Sequence, residues 1–231
     1  RDDWECLNGW WEYSITGRQE RWTKADGRIL VPFSPESRRS GVDRVLQPEE
    51  ALWYRRELEL AEIKDGWHLL LHFGAVDERC RVWLNGKRVG RHRGGYLPFS
   101  FDVTEAVKAG KNVLMVRVID ETDAGTACRG KQKLKPGGMF YTPQSGIWQT
   151  VWMEWVPDNY IKKLHITPYI EKNDIELKIR TEHPASGEIL IGDGISCRIR
   201  EEDFTADSCI TCRIHIKNAE YWSPENPVLY P

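Results

Sequence analysis

Strict alternation of apolar and polar side chains, without any long amphipathic helical pattern, is the feature that most constrains this chain. Apolar side chains occupy every second position in residues 175–180, 195–200 and 210–217. Because successive side chains of a strand point to opposite faces, each segment is predicted to be a half-buried antiparallel strand. The pattern therefore predicts a protein built essentially from β-strands.

The earlier part of the chain carries longer, more apolar runs that also suit strands. These runs cover residues 11–16, 67–73, 81–84, 113–119 and 147–156. Asn85-Gly86 follows one of them and predicts a two-residue hairpin turn, since a type I′ turn needs a positive φ at both central positions. Residues 48–52 could open a helix, but the alternation after them favours a strand. Residues 104–107, followed by Gly110, predict one capped helical turn.

A change of composition near Pro157 predicts two domains. Ten of the 11 tryptophans lie in residues 1–157, and the alternation becomes regular after that point. We expect a larger β-sandwich in residues 1–157 and a small one in residues 158–231. The 231 residues fall short of the roughly 250 that a (β/α)8 barrel needs. The formal net charge of −2 argues against nucleic acid as the partner.

The sequence motifs that usually indicate catalysis or metal binding are missing. The chain has no G-x-S-x-G elbow, P-loop, G-x-G-x-x-G or H-E-x-x-H motif. Its six cysteines are scattered, and Cys209 and Cys212 would point to opposite faces of a strand. We therefore expect structural, mostly reduced cysteines, and we expect neither a metal nor a cofactor.

Three polar segments remain as candidates for chemistry or binding. Asp120, Glu121 and Asp123 could be glycosidase carboxyls or calcium ligands, but carboxylates this close together more often cap a turn. Residues 91–95 form a basic run that we expect to be a solvated turn. Residues 129–146 are long and loop-like, and such loops in compact domains are usually functional or mobile. This loop is the best candidate for a contact surface.

Short motifs follow one another in a recognisable order along the whole chain. They lie at residues 1–4, 7–13, 31–33, 35–37, 53–56, 71–77, 82–86, 94–104, 145–152 and 222–230. Examples are the Leu-Asn-Gly-Trp-Trp-Glu-Tyr run at 7–13 and the Ser-Gly-Ile-Trp-Gln-Thr-Val-Trp run at 145–152. In this order, the motifs resemble those of glycoside hydrolase family 2.

The resemblance implies an architecture and an activity. It implies a jelly-roll, galactose-binding-domain-like sandwich, followed by an immunoglobulin-like sandwich and then a (β/α)8 barrel that carries two catalytic glutamates. This chain is expected to end where the barrel begins, so no catalytic residue is assigned in it. The chain would be the non-catalytic N-terminal portion of a retaining β-glycosidase that hydrolyses O-glycosidic bonds in carbohydrate metabolism, and it would be inactive alone.

The resemblance also bears on the long loop. In the β-galactosidase and β-glucuronidase branches, an Asp six residues before the glycine of the Ser145-Gly146-Ile147 motif reaches the sugar, and here that position is Phe140. Phenylalanine accepts no hydrogen bond from a hydroxyl and offers only a stacking face. The candidates for edging the active site or contacting the barrel are Arg129, Lys131, Gln132, Phe140, Tyr141 and Gln144.

Two other kinds of function remain open at this point: a stand-alone carbohydrate-binding module and a structural or assembly module. The expected partners are carbohydrate, through the full-length enzyme, the barrel, and a second copy of the chain in a homo-oligomer. No apolar run approaches the 18 or so residues of a membrane span, so no membrane partner is expected. The mostly reduced cysteines favour a cytoplasmic location over a secreted or periplasmic one.

Overall fold

The computed structural model describes residues 3–192 and 194–231, so Arg1 and Asp2 of the first motif lie outside the described residues. The chain divides into two compact units, the first ending at Val156 and the second spanning Pro157–Pro231. The described residues of the first unit contain 12 strands, the last of which extends to Pro157. They are β1 (Trp4–Cys6), β2 (Gly9–Gly17), β3 (Gly27–Val31), β4 (Glu50–Leu60), β5 (Trp67–Phe73), β6 (Val76–Asp77), β7 (Arg79–Leu84), β8 (Lys87–Arg93), β9 (Phe99–Asp102), β10 (Gly110–Ile119), β11 (Gly146–Ile147) and β12 (Val151–Pro157).

Two sheets of this unit enclose one core. The larger sheet has the strand order β3-β2-β4-β10-β7-β8, the smaller one has the order β1-β12-β5-β9, and β11 pairs with β6. Leu52 and Tyr54 of β4 and Val116 of β10 pack in the same cluster as Phe73 of β5 and Met153 of β12. The arrangement follows from the alternation, because every second residue of each strand faces the partner sheet.

In the second unit, the described residues form five strands: β13 (Ile161–Tyr169), β14 (Asp174–Thr181), β15 (Gly187–Ile191), β16 (Ile195–Ile199) and β17 (Cys209–His215). β13, β14 and β17 form one antiparallel sheet, and β15 pairs with β16 in a second. Leu177, Ile179, Ile191, Ile210 and Ile214 share a core. The predicted all-β, sandwich-type fold is confirmed.

In the part of the chain that the structure describes, helical structure is confined to four single 3-10 turns, at Arg38–Ser40, Thr104–Ala106, Ile170–Lys172 and Glu201–Asp203. The second of these is the turn predicted at 104–107, but Val103 at its N-cap makes no side-chain hydrogen bond to it. None of the helices within residues 3–192 and 194–231 is both long and apolar enough to cross a membrane.

Several local predictions can be compared directly with the strands. Asn85 and Gly86 both have positive φ, 51° and 80°, in the turn between β7 and β8, as predicted. Residues 50–52 belong to β4 and not to a helix. The run 147–156 is broken into β11 and β12, and the basic segment 91–93 lies in β8 instead of a solvated turn. All six cysteines are free thiols.

Candidate functional site

The long loop between β10 and β11 is fixed at both ends by two carboxylates, the buried Asp120 and the half-buried Glu36. Asp120 follows β10 and accepts hydrogen bonds from the Thr122 amide (2.7 Å) and from Ser145 Oγ (2.9 Å). Glu36 accepts the Ser145 amide at 3.0 Å. Burial raises the pKa of both Asp120 and Glu36. The two ends of the loop are therefore joined through Ser145.

The neighbouring acids of the predicted cluster also serve the local structure. Glu121 forms ion pairs with Arg18 and Arg79, each at 2.7 Å. Asp123 accepts the Leu134 amide at 3.3 Å. Within the described residues, no group of His, Cys, Asp and Glu could hold a metal ion. The contacts thus match the turn-capping interpretation of this cluster.

Gln132 holds the middle of the loop in place. Its Oε1 accepts the Gln144 amide at 2.5 Å, and its Nε2 donates to the Tyr96 hydroxyl at 3.3 Å. Its side chain also hydrogen-bonds to Asp77. The Tyr141 amide donates to the Lys131 carbonyl at 2.8 Å, which closes the two arms of the loop against each other.

The six predicted contact residues divide into three groups. Gln132, Tyr141 and Gln144 are brought together by the hydrogen bonds above, with the Lys131 carbonyl completing the set. Phe140 is half-buried, and the Lys133 ammonium lies 3.8 Å from the centre of its ring. Arg129 is half-buried, and its carbonyl accepts the Gln132 amide at 3.2 Å. Within the described part of the chain, no ion pair or hydrogen bond reaches its guanidinium group. Tyr141 is 66% exposed.

Asp77 lies beneath the loop and was not predicted as a site residue. It is only 5% exposed, and burial, followed by the nearby charge of Asp120, raises its pKa to about 7. The hydrogen bond from Gln132 opposes this rise. A Cβ on Gly95 would lie 2.3 Å from Asp77 Oδ1, so the carboxyl group fits only against a glycine. The Gly94-Gly95 pair was the available sequence signal for this close approach.

Tyr54 anchors the start of β11. Its hydroxyl accepts the Ile147 amide at 3.0 Å inside the core, and burial raises the pKa of the phenol. Gly146 has a φ of +77°, and a Cβ there would lie 2.1 Å from the Tyr54 hydroxyl. The Ser145-Gly146-Ile147 motif is therefore the attachment of the loop to the sandwich.

Comparisons with known proteins identify a family and several relatives of this chain. Residues 42–157 match the family model "Glycosyl hydrolases family 2, sugar binding domain". A putative β-glucuronidase from Formosa agariphila is 29% identical over 99% of this chain and 25% of its own length. A β-galactosidase from Thermoanaerobacter pseudethanolicus is 30% identical over 77% of this chain and 25% of its own length. This chain thus spans about a quarter of the curated relatives it matches.

Solved structures share the fold. The structure of Bifidobacterium dentium β-glucuronidase complexed with coumarin-3-O-glucuronide superposes with a TM-score of 0.74 at 21% identity, covering 100% of this chain and 44% of that one. Lactobacillus rhamnosus β-glucuronidase gives 0.74 at 22% identity, covering 100% and 41%. The fold and the matched segment define a β-sandwich of the sugar-binding-domain type. The chain belongs to glycosyl hydrolase family 2.

Proposed function

We propose that this chain is the non-catalytic N-terminal portion of a retaining β-glycosidase that hydrolyses O-glycosidic bonds in carbohydrate metabolism. Membership of family 2 supports the reaction class, and relatives named β-glucuronidase and β-galactosidase support a β-glycoside as substrate. A retaining enzyme needs two carboxyl groups about 5–5.5 Å apart. In this proposal, both belong to a barrel outside the two units described above.

We further propose that the loop between β10 and β11 edges the active site of that barrel. The observation that carries this role is the position of Gln132, whose side chain ties the loop to Tyr96, Asp77 and the Gln144 amide. A loop held in this way loses little conformational entropy when it binds. It presents Tyr141, Lys131 and Gln144 on its exposed side, as donors, acceptors and an aromatic face for sugar hydroxyls or for the barrel.

Phe140 and Arg129 have different parts in this proposal. One face of the Phe140 ring is covered by the Lys133 ammonium, which is a favourable cation–π arrangement. The loop therefore offers a cation and an aromatic ring where the resemblance to family 2 implies an acidic side chain, and no hydrogen bond from a sugar hydroxyl is expected at position 140. Arg129, whose guanidinium has no ion-pair partner among the described residues, supplies a second positive charge at the base of the loop.

The test uses the full-length gene product and steady-state kinetics on nitrophenyl β-glycosides. Gln132→Ala should release the loop, and Tyr141→Ala should remove its most exposed aromatic contact. Loss of one or two hydrogen bonds or stacking contacts costs about 1–2 kcal/mol, so kcat/KM should fall roughly 5- to 30-fold. Tyr141→Phe removes only the hydroxyl group and so distinguishes its contribution from that of the ring. The matched control is Trp10→Ala, which removes an aromatic side chain on β2 that is 48% exposed.

Two results would contradict the proposal at different levels. If the folded Gln132→Ala and Tyr141→Ala proteins keep kcat/KM within about twofold, a smaller change than the loss of one hydrogen bond produces, the loop does not edge the site. If the full-length product hydrolyses no β-glycoside, or if this chain alone does so after stringent purification, the assignment of catalysis to a separate barrel fails.

A further inference from the structure

A broad groove on the outer face of the larger sheet carries an unusual concentration of arginine. It encloses about 1110 Å³ and is lined mainly by residues of β4, β7, β8 and β10 and of the segment after β2. The volume exceeds the roughly 300–1,000 Å³ of ordinary small-molecule pockets. Its charged lining consists of seven arginines and a single carboxylate, besides His92: Arg18, Arg21, Arg79, Arg81, Arg91, Arg93, Arg117 and Glu20.

The strand register places several of these arginines side by side. Arg81 on β7 lies opposite Arg91 on β8 and opposite Arg117 on β10. Arg79 lies opposite Arg93 in the same hairpin. Directly opposed residues share one face, and like charges in such pairs are destabilising. Stability of the sheet therefore does not explain why this face carries them.

Part of this charge remains without an acidic partner. Glu121 pairs with Arg18 and Arg79, and Glu78 lies 3.4 Å from Arg93. Over residues 3–192 and 194–231, no ion pair reaches the four remaining arginines of the groove, Arg21, Arg81, Arg91 and Arg117. The last of these donates to the Arg18 carbonyl and lies over the Trp53 ring. The groove therefore has guanidinium groups available to bind an anionic ligand.

Aromatic rings make up the other part of the lining. Trp53 and Trp83 stack with their centroids 5.6 Å apart, and Trp22 also faces the groove. Indole rings pack against apolar faces such as those of sugar rings, whereas guanidinium groups bind carboxylate and sulfate oxygens in a bidentate manner. A ligand that satisfies both components has rings with apolar faces and anionic substituents.

We propose that this groove binds an acidic glycan, a polysaccharide segment that bears carboxylate or sulfate groups. The choice of a glycan over another polyanion rests on the proposed role in carbohydrate processing. The groove uses none of the six loop residues assigned above. Binding needs no hydrolysis, so this proposal can fail while the proposed function of the loop stands, and the reverse is equally true.

The test is calorimetric titration of the 231-residue chain with defined oligosaccharides. The probes are a galacturonate hexamer, a sulfated carrageenan hexamer and a neutral galactan hexamer, with polyglutamate and single-stranded DNA as other polyanions. Arg81→Gln combined with Arg91→Gln removes two arginines without an ion-pair partner. Arg28→Gln combined with Arg39→Gln removes two exposed arginines outside the groove and is the matched control.

We expect at least one acidic hexamer to bind, the neutral hexamer not to bind, and the affinity to fall at high salt. The groove variant should weaken binding by about tenfold or more, as expected for lost charge-assisted pairs, while the control variant changes it little. The carboxylated and sulfated probes show which anion is preferred. Three results would overturn the proposal: no binding of either acidic hexamer, equal weakening by the control variant, or tighter binding of polyglutamate or DNA than of both glycans.

Discussion

Asp77→Asn tests whether a buried acid beneath the loop makes the stability of the first unit depend on pH. Asparagine has nearly the same shape as aspartic acid and keeps an oxygen that can accept the hydrogen bond from Gln132. Gly95 leaves room for either side chain, since it has no Cβ, which would lie only 2.3 Å from Asp77 Oδ1. The substitution therefore removes the titration of Asp77 with little change in packing.

The direction of the effect follows from the raised pKa. Burial is the main cause of the rise to about 7, and the charges of Asp120, Glu78 and Glu36 add to it. Between about pH 4 and pH 7, folded Asp77 keeps a proton that the unfolded chain has released. The native state then binds more protons than the unfolded state, so the free energy of unfolding falls as pH rises through this window. A shift of about three pH units corresponds to at most about 4 kcal/mol.

The assay is urea unfolding at several pH values between 4.5 and 8, followed by tryptophan fluorescence. We expect the variant to be more stable than the wild type by up to about 4 kcal/mol at pH 8, and this difference to shrink to about 1 kcal/mol or less at pH 4.5. The raised pKa values of Glu36 and Asp120 leave a residual slope in both proteins. Asp65→Asn, at an exposed position, is the control. Parallel stability curves for variant and wild type, or destabilisation at every pH, would refute the reasoning.

Three substitutions, measured by the same unfolding assay, test the backbone around the loop and the hairpin. Tyr54→Phe leaves the Ile147 amide buried without its partner and should cost about 1–3 kcal/mol. Gly146→Ala should cost more than about 2 kcal/mol because of its positive φ and its contact with the Tyr54 hydroxyl, and Tyr54→Phe should relieve part of that loss. The Cβ introduced by Gly86→Ala would contact no neighbouring atom, so we expect a loss of only about 1–2 kcal/mol, caused by the positive φ at that position. Equal losses for the two glycine variants would contradict the assigned contact.

The strands could be predicted because their signal is local. Alternation at 175–180 and 210–217 depends only on neighbouring residues, and it matches the buried faces of β14 and β17. The break in 147–156 could not be predicted in this way, since Trp148, Gln149 and Thr150 include neither glycine nor proline to mark a turn. Trp148 leaves the strand direction because its indole donates to the Gly95 carbonyl at 2.7 Å, a contact between positions 53 residues apart.

Composition identified the loop as a candidate, but it could not rank the residues within it. Gln132 organises the loop through partners at positions 77, 96 and 144. The ends of the loop depend on Glu36 and Tyr54, which precede their partners by 109 and 93 residues. Such contacts produce no periodic pattern in the sequence. The only sequence feature that indicates them is a glycine at each position where a neighbouring group leaves no space for a Cβ.

The arginine groove depends on strand register in the same non-local way. The net charge of −2 gives no sign of a local cluster of arginines. The basic run 91–93 by itself suggests a solvated turn, and only the pairing of β7 with β8 shows that it belongs to the groove. The hairpin has an irregularity in register between Val82 and Trp83, beyond which Arg81 faces Arg91 and Arg79 faces Arg93. Without that extra residue, Arg91 would lie opposite Cys80 and would face the core, because a slip of one residue reverses every side chain. The bulge therefore places the charges of Arg91 and Arg93 on the outer face, beside those of Arg81 and Arg79.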